Sequence, residues 1–294
     1  MKFTWTNRAR CPVCDSGNIR TLLRTPFASP PIWTFLESYY GGRISRDDIG
    51  AEDFIAAACS DCELIFQSVV LDSIGMGELY ENILDADSSR EKRIHASHAY
   101  YAGLERNVRD MARFFPEIPP YKVRVLDFGM GWGHWVAMAR SHGFDSWGAE
   151  LSQQRRAYAN TVLGVQVIPN LQTDLRFDFI NAEQVFEHLS EPRKIVGLLG
   201  GLLKEGGILR ISVPNGTGYA NILKRTNWTA SKDALHPLEH VNAFNVSSIT
   251  RLTASANLER VALRDFPRTK DRLRMARRWL RSASRNPTWF FRKP

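Results

Sequence analysis

The amino-acid sequence predicts an α/β protein: a mostly parallel sheet covered by helices, preceded by a small metal-binding module. Two observations carry this prediction. An apolar strand and three alternating glycines run from Val123 to Gly133 and open a region in which strand and helix patterns alternate. Upstream of that region, the only four cysteines of the 294-residue chain form two identical Cys-x-x-Cys pairs.

The first predicted strand, Val-Arg-Val-Leu-Asp-Phe, ends in the turn Gly-Met-Gly-Trp-Gly, and Asp127 stands two residues before the first glycine. Gly129 and Gly131 suit a turn that takes positive φ and brings the backbone close to a ligand, because a Cβ would hinder both. A dinucleotide-binding turn reads Gly-x-Gly-x-x-Gly. Its third glycine position falls on His134 here, so a pyrophosphate-binding turn is a poor match.

Four more strands are predicted after the glycine turn, with helices between them. The first of the four ends at Glu150, 21 residues after Gly129, where a carboxylate can accept hydrogen bonds from two ribose hydroxyls. The others are predicted at residues 165–168, 177–182 and 208–213. This alternation argues for a parallel sheet with helices on both faces.

These motifs together resemble the core of the class I S-adenosylmethionine (SAM) methyltransferases. The resemblance covers residues 120–216 and includes Asp-x-Gly-x-Gly-x-Gly, Phe-Asp-Phe-Ile, Glu-His-Leu at 187–189, and Leu-Leu-Lys-Glu-Gly-Gly before the last strand. It implies a Rossmann-like sheet of seven strands, mostly parallel, and SAM as the cofactor. By position in that family, the cofactor-binding residues are Asp127, Gly129, Gly131, Glu150, Asn170, Leu171 and Gln184.

The cysteine pairs, Cys11-Pro-Val-Cys14 and Cys59-Ser-Asp-Cys62, have the spacing of two zinc knuckles. Four thiolates leave no open position for water, so the predicted zinc is structural rather than catalytic. The alternatives are two disulfides or four free thiols. We find no signal peptide and no 18-residue apolar run, which predicts a reducing, cytoplasmic location and favours zinc. The 44 residues between the pairs, with the aromatic run Trp33–Tyr40, are predicted to be an insertion.

Four regions follow from these patterns. They are a zinc-binding module with an insertion at 1–75, a helical linker region at 76–120, the methyltransferase core at 121–263 and a basic amphipathic tail at 264–294. The formal net charge of +8 belongs to the tail, which has 11 Lys or Arg against two Asp, whereas the other residues carry 28 basic and 29 acidic groups.

Near-helical spacing of apolar residues within the tail predicts an amphipathic helix, formed by Leu273, Ala276, Leu280 and Ala283. Trp289-Phe-Phe-Arg-Lys follows it. A basic helix with terminal aromatics suits an anionic membrane surface, with the protein peripheral at the inner membrane, or RNA. The alternative is a solvated helix with a disordered end.

An acceptor site is predicted beyond the fifth strand, because ligands of open α/β sheets bind outside the carboxyl ends of the strands. His236, Glu239 and His240 occur there within five residues. Their sequence, Pro-Leu-Glu-His-Val-Asn, resembles that of methyltransferases with an N-terminal four-cysteine zinc module, several of which act on sugars in polysaccharide or natural-product pathways. The resemblance implies a small-molecule or glycan acceptor, with a sugar hydroxyl favoured over C-methylation of a keto-sugar.

His240 is the predicted general base, because an unperturbed histidine titrates near pH 6.5 and a sugar hydroxyl is a weak nucleophile. Glu239 is expected to orient His240 or the substrate, and His236 and His188 are further catalytic candidates. Two other functions stay open. A zinc-ribbon RNA methyltransferase is disfavoured because Ala-Glu-Gln-Val at 182–185 lacks the Asn/Asp-Pro-Pro-aromatic motif that grips a flipped base. A non-catalytic zinc-ribbon interaction protein is disfavoured by the intact glycine turn and Glu150.

Overall fold

The computed structural model describes residues 3–261 and 286–294. Its strands are β1 (Trp5–Asn7), β2 (Ile19–Pro26), β3 (Asp53–Cys59), β4 (Ile65–Gln67), β5 (Val69–Leu71), β6 (Arg124–Phe128), β7 (Asp145–Ala149), β8 (Gln166–Val167), β9 (Phe177–Glu183), β10 (Leu203–Ser212), β11 (Asn242–Ala243), β12 (Glu259–Arg260) and β13 (Thr288–Arg292). Its α-helices are α1 (Ile32–Tyr40), α2 (Arg46–Ile49), α3 (Ser73–Glu78), α4 (Ala86–Ile94), α5 (His98–Ala112), α6 (His134–Ser141), α7 (Gln153–Thr161), α8 (Pro192–Leu202), α9 (Tyr219–Leu223) and α10 (Val246–Ala254).

The chain divides into two compact units, and both are discontinuous in sequence. The first unit comprises Met1–Asp85, Phe186–Lys194 and Val213–Ser255, and the second comprises Ala86–Val185, Ile195–Ser212 and Ala256–Pro294. The predicted boundary at 75 thus falls inside the first unit and that at 120 inside the second, whereas the boundary at 263 lies outside the described residues. Most residues after the fifth predicted strand fold with the N-terminal module, because β11 pairs with β4 in an antiparallel ladder.

The first unit is built on a four-stranded sheet in the order β11-β4-β3-β2, with a separate two-stranded ladder of β1 and β5. Its core contains large aromatic side chains from distant parts of the chain, including Phe27, Tyr40, Phe54 and Tyr219. The aromatic run between the cysteine pairs forms α1, whose buried residues include Trp33 and Tyr40. The predicted insertion thus supplies part of a hydrophobic core, and burial of its aromatic rings stabilises the unit.

The second unit is built on a seven-stranded sheet in the order β12-β13-β10-β9-β6-β7-β8. Neighbouring strands from β10 to β8 run parallel, and β13 is antiparallel to both of its neighbours. The mostly parallel α/β sheet is therefore confirmed. The fifth predicted strand begins at Leu203 rather than Ile208, because a register irregularity between these residues takes up Lys-Glu-Gly-Gly inside β10.

The aromatic end of the predicted tail is an interior strand of this sheet. Trp289, Phe290 and Phe291 are buried in β13, between β10 and β12. This part of the tail prediction is wrong: the aromatic side chains bury their surface in the protein rather than in a membrane or against RNA. The predicted amphipathic helix, Leu273 to Ala283, lies outside the described residues, so its binding to either partner stays a prediction. Within the described ranges, no helix is long and apolar enough to cross a bilayer.

Candidate functional site

The glycine turn joins β6 to α6 in the second unit. Gly129 and Gly131 have φ of 74° and 54°, values that favour glycine strongly over residues with a Cβ. A Cβ on Gly129 would also stand 2.5 Å from Cγ2 of Val185, whereas a Cβ on Gly131 would meet nothing within 4 Å. The first glycine is therefore required by packing, and the second borders space that a ligand can occupy.

Glu150 follows β7 and reaches the glycine turn. Its Oε2 accepts a hydrogen bond from the backbone N–H of Gly131 at 2.9 Å, and its Oε1 accepts one from the backbone N–H of Ser152 at 3.0 Å. A carboxylate oxygen can accept more than one hydrogen bond, so both oxygens retain capacity for a ligand's hydroxyls. The structure thus brings Glu150 to the glycine turn, to which the sequence analysis linked it only by spacing.

Asp127 lies at the end of β6 and is almost fully buried. Asn181 donates a hydrogen bond to its Oδ1 at 2.7 Å, and Arg210 in turn donates to the Asn181 side chain at 2.5 Å. Burial raises the pKa of the Asp127 carboxyl to about 7, although the bond from Asn181 opposes the shift. Three adjacent strands thus contribute a series of buried, hydrogen-bonded polar side chains. Asn181 and Arg210 were not identified as site residues from the sequence.

Asn170, Leu171 and Gln184 follow the carboxyl ends of β8 and β9, in the same sheet as β6 and β7. Asn170 is exposed, and its side chain accepts a hydrogen bond from the backbone of Gln172. Leu171 is half-buried. Gln184 has a φ of 56° and donates its backbone N–H to Ser212 at 2.7 Å. Their strand ends suit a cofactor site, and their contact with a cofactor stays a prediction.

Two residues beside the glycine turn escaped the sequence analysis. Leu151 directly follows Glu150 and its side chain is 88% exposed, which the sequence did not indicate. Trp132 lies inside the glycine motif and is buried. Its Nε1 donates to Ser89 at 3.1 Å, and the Arg155 guanidinium lies 5.8 Å from the centre of its ring. No pattern in the sequence indicated these contacts.

The four cysteines converge in the first unit, with all four sulfurs within 4.8 Å of one another. The Sγ atoms of Cys11 and Cys62 are 3.5 Å apart, as are those of Cys14 and Cys59. Disulfide sulfurs lie about 2 Å apart, so these thiols are not bonded. A tetrahedral zinc site with Zn–S bonds near 2.3 Å places its sulfurs about 3.8 Å apart, which the cluster fits.

The two cysteine pairs also have the same backbone geometry. In each, the residue after the second cysteine has a positive φ: 58° at Asp15 and 63° at Glu63. Its N–H donates to the carbonyl of the first cysteine, Cys11 or Cys59. The shared turn directs both thiols of a pair to one side. Hydrogen bonding from the Cys62 thiol lowers the pKa of Cys11.

All four predicted catalytic residues meet in the first unit. We call His188, His236, Glu239 and His240 the histidine cluster. The ring centres of His188 and His240 are 4.7 Å apart, and those of His236 and His240 are 4.2 Å apart. Tyr40 donates its hydroxyl to Oε1 of Glu239 at 2.9 Å. His188 lies at least 48 residues before the other three in the sequence, and no sequence pattern indicated that the four would meet.

Hydrogen bonding and burial define the state of His240. Its Nδ1–H donates to the backbone carbonyl of Asp233, so the lone pair of the neutral ring is on Nε2. Burial lowers the pKa of His240 to about 4 and lowers that of His236 further. Both rings are therefore neutral near pH 7, the form that accepts a proton. The expectation that His240 titrates near pH 6.5 is wrong, because burial disfavours its charged form and makes the ring a weaker base.

Tyrosine and lysine side chains extend the histidine cluster, and the sequence analysis named none of them as site residues. The Tyr80 hydroxyl lies 3.1 Å from Nδ1 of His188. Lys232 donates to the hydroxyl of Tyr39 at 2.8 Å, and the Tyr39 ring lies 5.6 Å from that of His236. Aromatic, hydroxyl, ammonium and carboxylate groups thus lie together around the histidines, and these are group types that orient small polar ligands in proteins.

A family profile described as "Methyltransferase domain" matches residues 97–263, more than half of the chain. No curated protein matches the sequence. Among solved structures, magnesium protoporphyrin IX methyltransferase from Synechocystis PCC 6803 is similar with a TM-score of 0.50 and 12% identity, over 76% of this chain and 100% of that one. At that identity the likeness shows the fold alone.

Two further solved structures are similar with TM-scores below 0.5. An S-adenosylmethionine-dependent methyltransferase from Clostridium acetobutylicum ATCC 824 has a TM-score of 0.46 and 12% identity, over 68% of this chain and 93% of that one. A TehB-like SAM-dependent methyltransferase from Corynebacterium glutamicum ATCC 13032 has a TM-score of 0.42 and 16% identity, over 67% of this chain and 97% of that one.

Proposed function

We propose that this protein is a SAM-dependent methyltransferase whose cofactor binds at the glycine turn. The chain belongs to the methyltransferase-domain family. The observation that carries the proposal is the position of Glu150, which receives the N–H of Gly131 beside space left open at that glycine. A ribose diol bound there would donate to the remaining lone pairs of the carboxylate. The exposed Leu151 offers an apolar surface for the purine ring.

The other cofactor contacts follow from the strand ends. We assign the methionine part of SAM to the neighbourhood of Asp127 and Gly129, and the adenine to that of Asn170 and Leu171. Gln184 would flank the methyl group. When bound, SAM supplies an electrophilic methyl group on a sulfonium sulfur. The protein's task is to align this group with the acceptor and to exclude water, which lowers the barrier chiefly by orientation.

We propose a sugar hydroxyl of a small molecule or glycan as the acceptor. The acceptor oxygen would take the methyl group from the sulfonium, which would leave as SAH, and the hydroxyl proton would pass to Nε2 of His240. The hydrogen bond from Nδ1 of His240 to Asp233 supports this direction, because it leaves the lone pair on Nε2. Glu239, held by Tyr40, would orient the acceptor. A positioned general base contributes about 10²–10⁴-fold to such a step.

We propose that the cysteine cluster holds one structural zinc ion through Cys11, Cys14, Cys59 and Cys62. The donor set and the sulfur separations support the assignment. Four thiolates complete a tetrahedral shell, so the ion would join the two turns without reaching a substrate. Its contribution would be to the folding free energy of the first unit.

Calorimetric titration of the zinc-loaded full chain with S-adenosylhomocysteine (SAH), with NADH as the control ligand, tests the proposal. Binding of SAH in the micromolar range and no binding of NADH is the expected result. Binding of NADH alone would overturn the cofactor assignment. A second series then measures methyl transfer from SAM to a panel of nucleotide-linked and free sugars. Transfer to a transcribed RNA panel in place of every sugar would instead support the RNA methyltransferase alternative.

A further inference from the structure

We propose that Gln67 is a positioning residue for the histidine cluster, holding the backbone of His236 and His240 to the strand that follows the second cysteine pair. The inference rests on the proposed function of His240 and deepens it. The role proposed for Gln67 is to keep the neutral His240, at the end of an irregular turn, in one orientation. All of the residues involved belong to the first unit.

Gln67 ends β4 and is fully buried. Its side-chain Nε2 donates to two backbone carbonyls, that of His236 at 2.7 Å and that of His240 at 3.0 Å. Its backbone N–H donates to the carbonyl of Val241 at 3.0 Å. We call residues 236–240 the histidine turn. Gln67 therefore holds the backbone of this turn at both of its ends.

The histidine turn has no regular secondary structure to satisfy those carbonyls. His236 and His240 form an isolated antiparallel bridge, and Leu238 between them has a φ of 72°. A buried carbonyl without a donor costs about 1–3 kcal/mol, so the turn depends on a side chain that brings two N–H groups to one place. A primary amide does so, which explains why a polar residue stands in this apolar surrounding.

Gln67 itself is incompletely satisfied. Among the described residues, its Oε1 has no hydrogen-bond partner. A leucine at the same place would avoid the desolvation of a buried amide, so packing alone does not favour glutamine. The hydrogen bonds from Gln67 to the carbonyls of His236 and His240 explain the presence of glutamine better than the stability of β4 does.

Arg8 and Asn242 extend this arrangement to His188. Arg8 donates to the carbonyl of Gln67 at 2.9 Å, to the carbonyl of Val241 at 2.8 Å and to the side chain of Asn242 at 2.8 Å. Asn242 donates onward to the carbonyls of Phe186 and Leu189, on either side of His188. Asn242 thus joins the segment around His188 to the segment that carries the other cluster residues, and Arg8 and Gln67 hold the latter.

The cysteine turns lie next to these positioning residues in the chain. Arg8 stands three residues before Cys11, and β4 begins three residues after Cys62. The backbone N–H of Cys59 also donates to the carbonyl of Leu64, which directly precedes β4. The N-terminal module therefore serves as the support on which the histidine turn is oriented, in addition to its own fold.

Gln67→Met in the zinc-loaded full chain tests the proposal, because methionine matches the length of glutamine but donates no hydrogen bond. We expect kcat for methyl transfer to fall about 100-fold, the effect of a misplacement on the order of 1 Å. SAH affinity and zinc content should change less than about twofold, since neither site contacts Gln67; a fall comparable to that of kcat in either would mean general unfolding. Gln166→Met, at an exposed glutamine in β8, is the matched control.

A second measurement reads the position of the rings directly. In protein labelled with ¹⁵N-histidine, the imidazole resonances of His236 and His240 should shift or broaden in Gln67→Met, whereas those of the exposed His98 should not. Unchanged cluster resonances together with unchanged kcat would overturn the proposal. If wild-type protein fails to bind SAH, the proposed function falls, but the resonances still decide whether Gln67 positions the turn.

Gln67→Glu keeps the test decisive if the methionine variant does not fold. A glutamic acid at this buried site, facing two carbonyls, would be protonated and could donate one of the two hydrogen bonds. We expect a kcat between those of the wild type and a fully disrupted site, with the resonance of one histidine restored more than the other. A folded Gln67→Glu protein with wild-type kcat and resonances would contradict the proposal.

Discussion

The backbone N–H of Gly131 donates a hydrogen bond to the carboxylate of Glu150 at 2.9 Å. The glycine borders open space, and the glutamate follows the neighbouring strand, so two predicted cofactor residues hold each other in place. A carboxylate oriented in this way loses little conformational freedom when it accepts further hydrogen bonds. Affinity at the site should therefore depend strongly on Glu150.

Glu150→Gln replaces one carboxylate oxygen by an amide NH₂, which cannot accept from Gly131 or Ser152. Hydrogen bonds to a charged group contribute about 1.5–3 kcal/mol, so we expect SAH affinity to fall about 10–100-fold by calorimetry. Glu117→Gln, at an exposed glutamate in the second unit, is the control and should bind as the wild type does. Equal affinity in the two variants would remove Glu150 from the site.

Asp127→Asn should raise stability at neutral pH while it weakens cofactor binding. The folded-state pKa of Asp127, about 7, lies above the unfolded value near 4, so between these pH values only the unfolded state loses the proton. In the wild type, the contribution of the Asp127 carboxyl to the free energy of unfolding is fully present below pH 4 and is lost as the pH rises towards 7. Asparagine does not titrate, and its Oδ1 can still accept from Asn181.

Urea unfolding of the ligand-free protein measures this effect. The stability of Asp127→Asn relative to wild type should increase by about 2–3 kcal/mol between pH 5 and pH 8. Asp174→Asn, at an exposed aspartate, should show no such change. A pH-independent difference between Asp127→Asn and the wild type would mean that the carboxyl is ionised throughout.

His240→Asn should lower kcat by about 10²–10⁴-fold and leave SAH affinity within about twofold, because the imidazole is lost as a base and no cofactor residue is altered. The low pKa of His240, about 4, also predicts that wild-type kcat shows no ionisation of this group between pH 6 and pH 8. Steady-state kinetics across that range checks both statements. His98→Asn, at an exposed histidine, is the control. Full activity of His240→Asn would exclude it as the base.

Cys14→Ser should release the proposed zinc, since a serine hydroxyl is a poor ligand for this metal. We expect one equivalent of zinc per chain in the wild type by elemental analysis, and less than 0.2 in the variant, on the order of a 100-fold loss of affinity. The melting temperature should fall with it. Ser60→Ala, inside the second cysteine turn, should keep the metal. A wild-type protein that binds no zinc from a buffered solution would contradict the assignment.

Phe291→Ala should destabilise the second unit by about 3–5 kcal/mol, the usual effect of removing a fully buried aromatic ring. The neighbouring Arg292→Ala removes an exposed side chain from the same strand and should cost less than about 0.5 kcal/mol. Urea unfolding compares the two variants. Equal stability would mean that β13 is dispensable and that the tail prediction from sequence was correct.

Local signals predicted the parts of the site that lie close together in the chain. The glycine turn needs positive φ within three residues, and the acid after β7 follows at a spacing set by one helix and one strand. The cysteine pairs are likewise encoded by a four-residue turn. In each case short-range geometry limits the structure, so the residue types alone indicate the arrangement.

Long-range pairings gave no such signal. Asn242 pairs with Phe66, 176 residues earlier, and this contact assigns 213–255 to the first unit rather than to the core. Tyr40 and Glu239 meet across a similar distance. The positive charge of residues 264–294 predicts a tail that includes the aromatic residues 289–291, yet a three-residue apolar run also suits an interior strand. The burial of Trp289, Phe290 and Phe291 in the structure decides for the strand over the tail, and the sequence alone did not indicate this burial.

The order of the sheet has a consequence for the protein during its synthesis. Because β13 stands between β10 and β12, the ribosome must translate past residue 292 before β10 acquires its second neighbour. Until then, β10 presents an edge with unpaired backbone N–H and C=O groups, which can pair with other chains. Nascent chains that stall within residues 213–287 should thus depend on chaperones far more than completed ones.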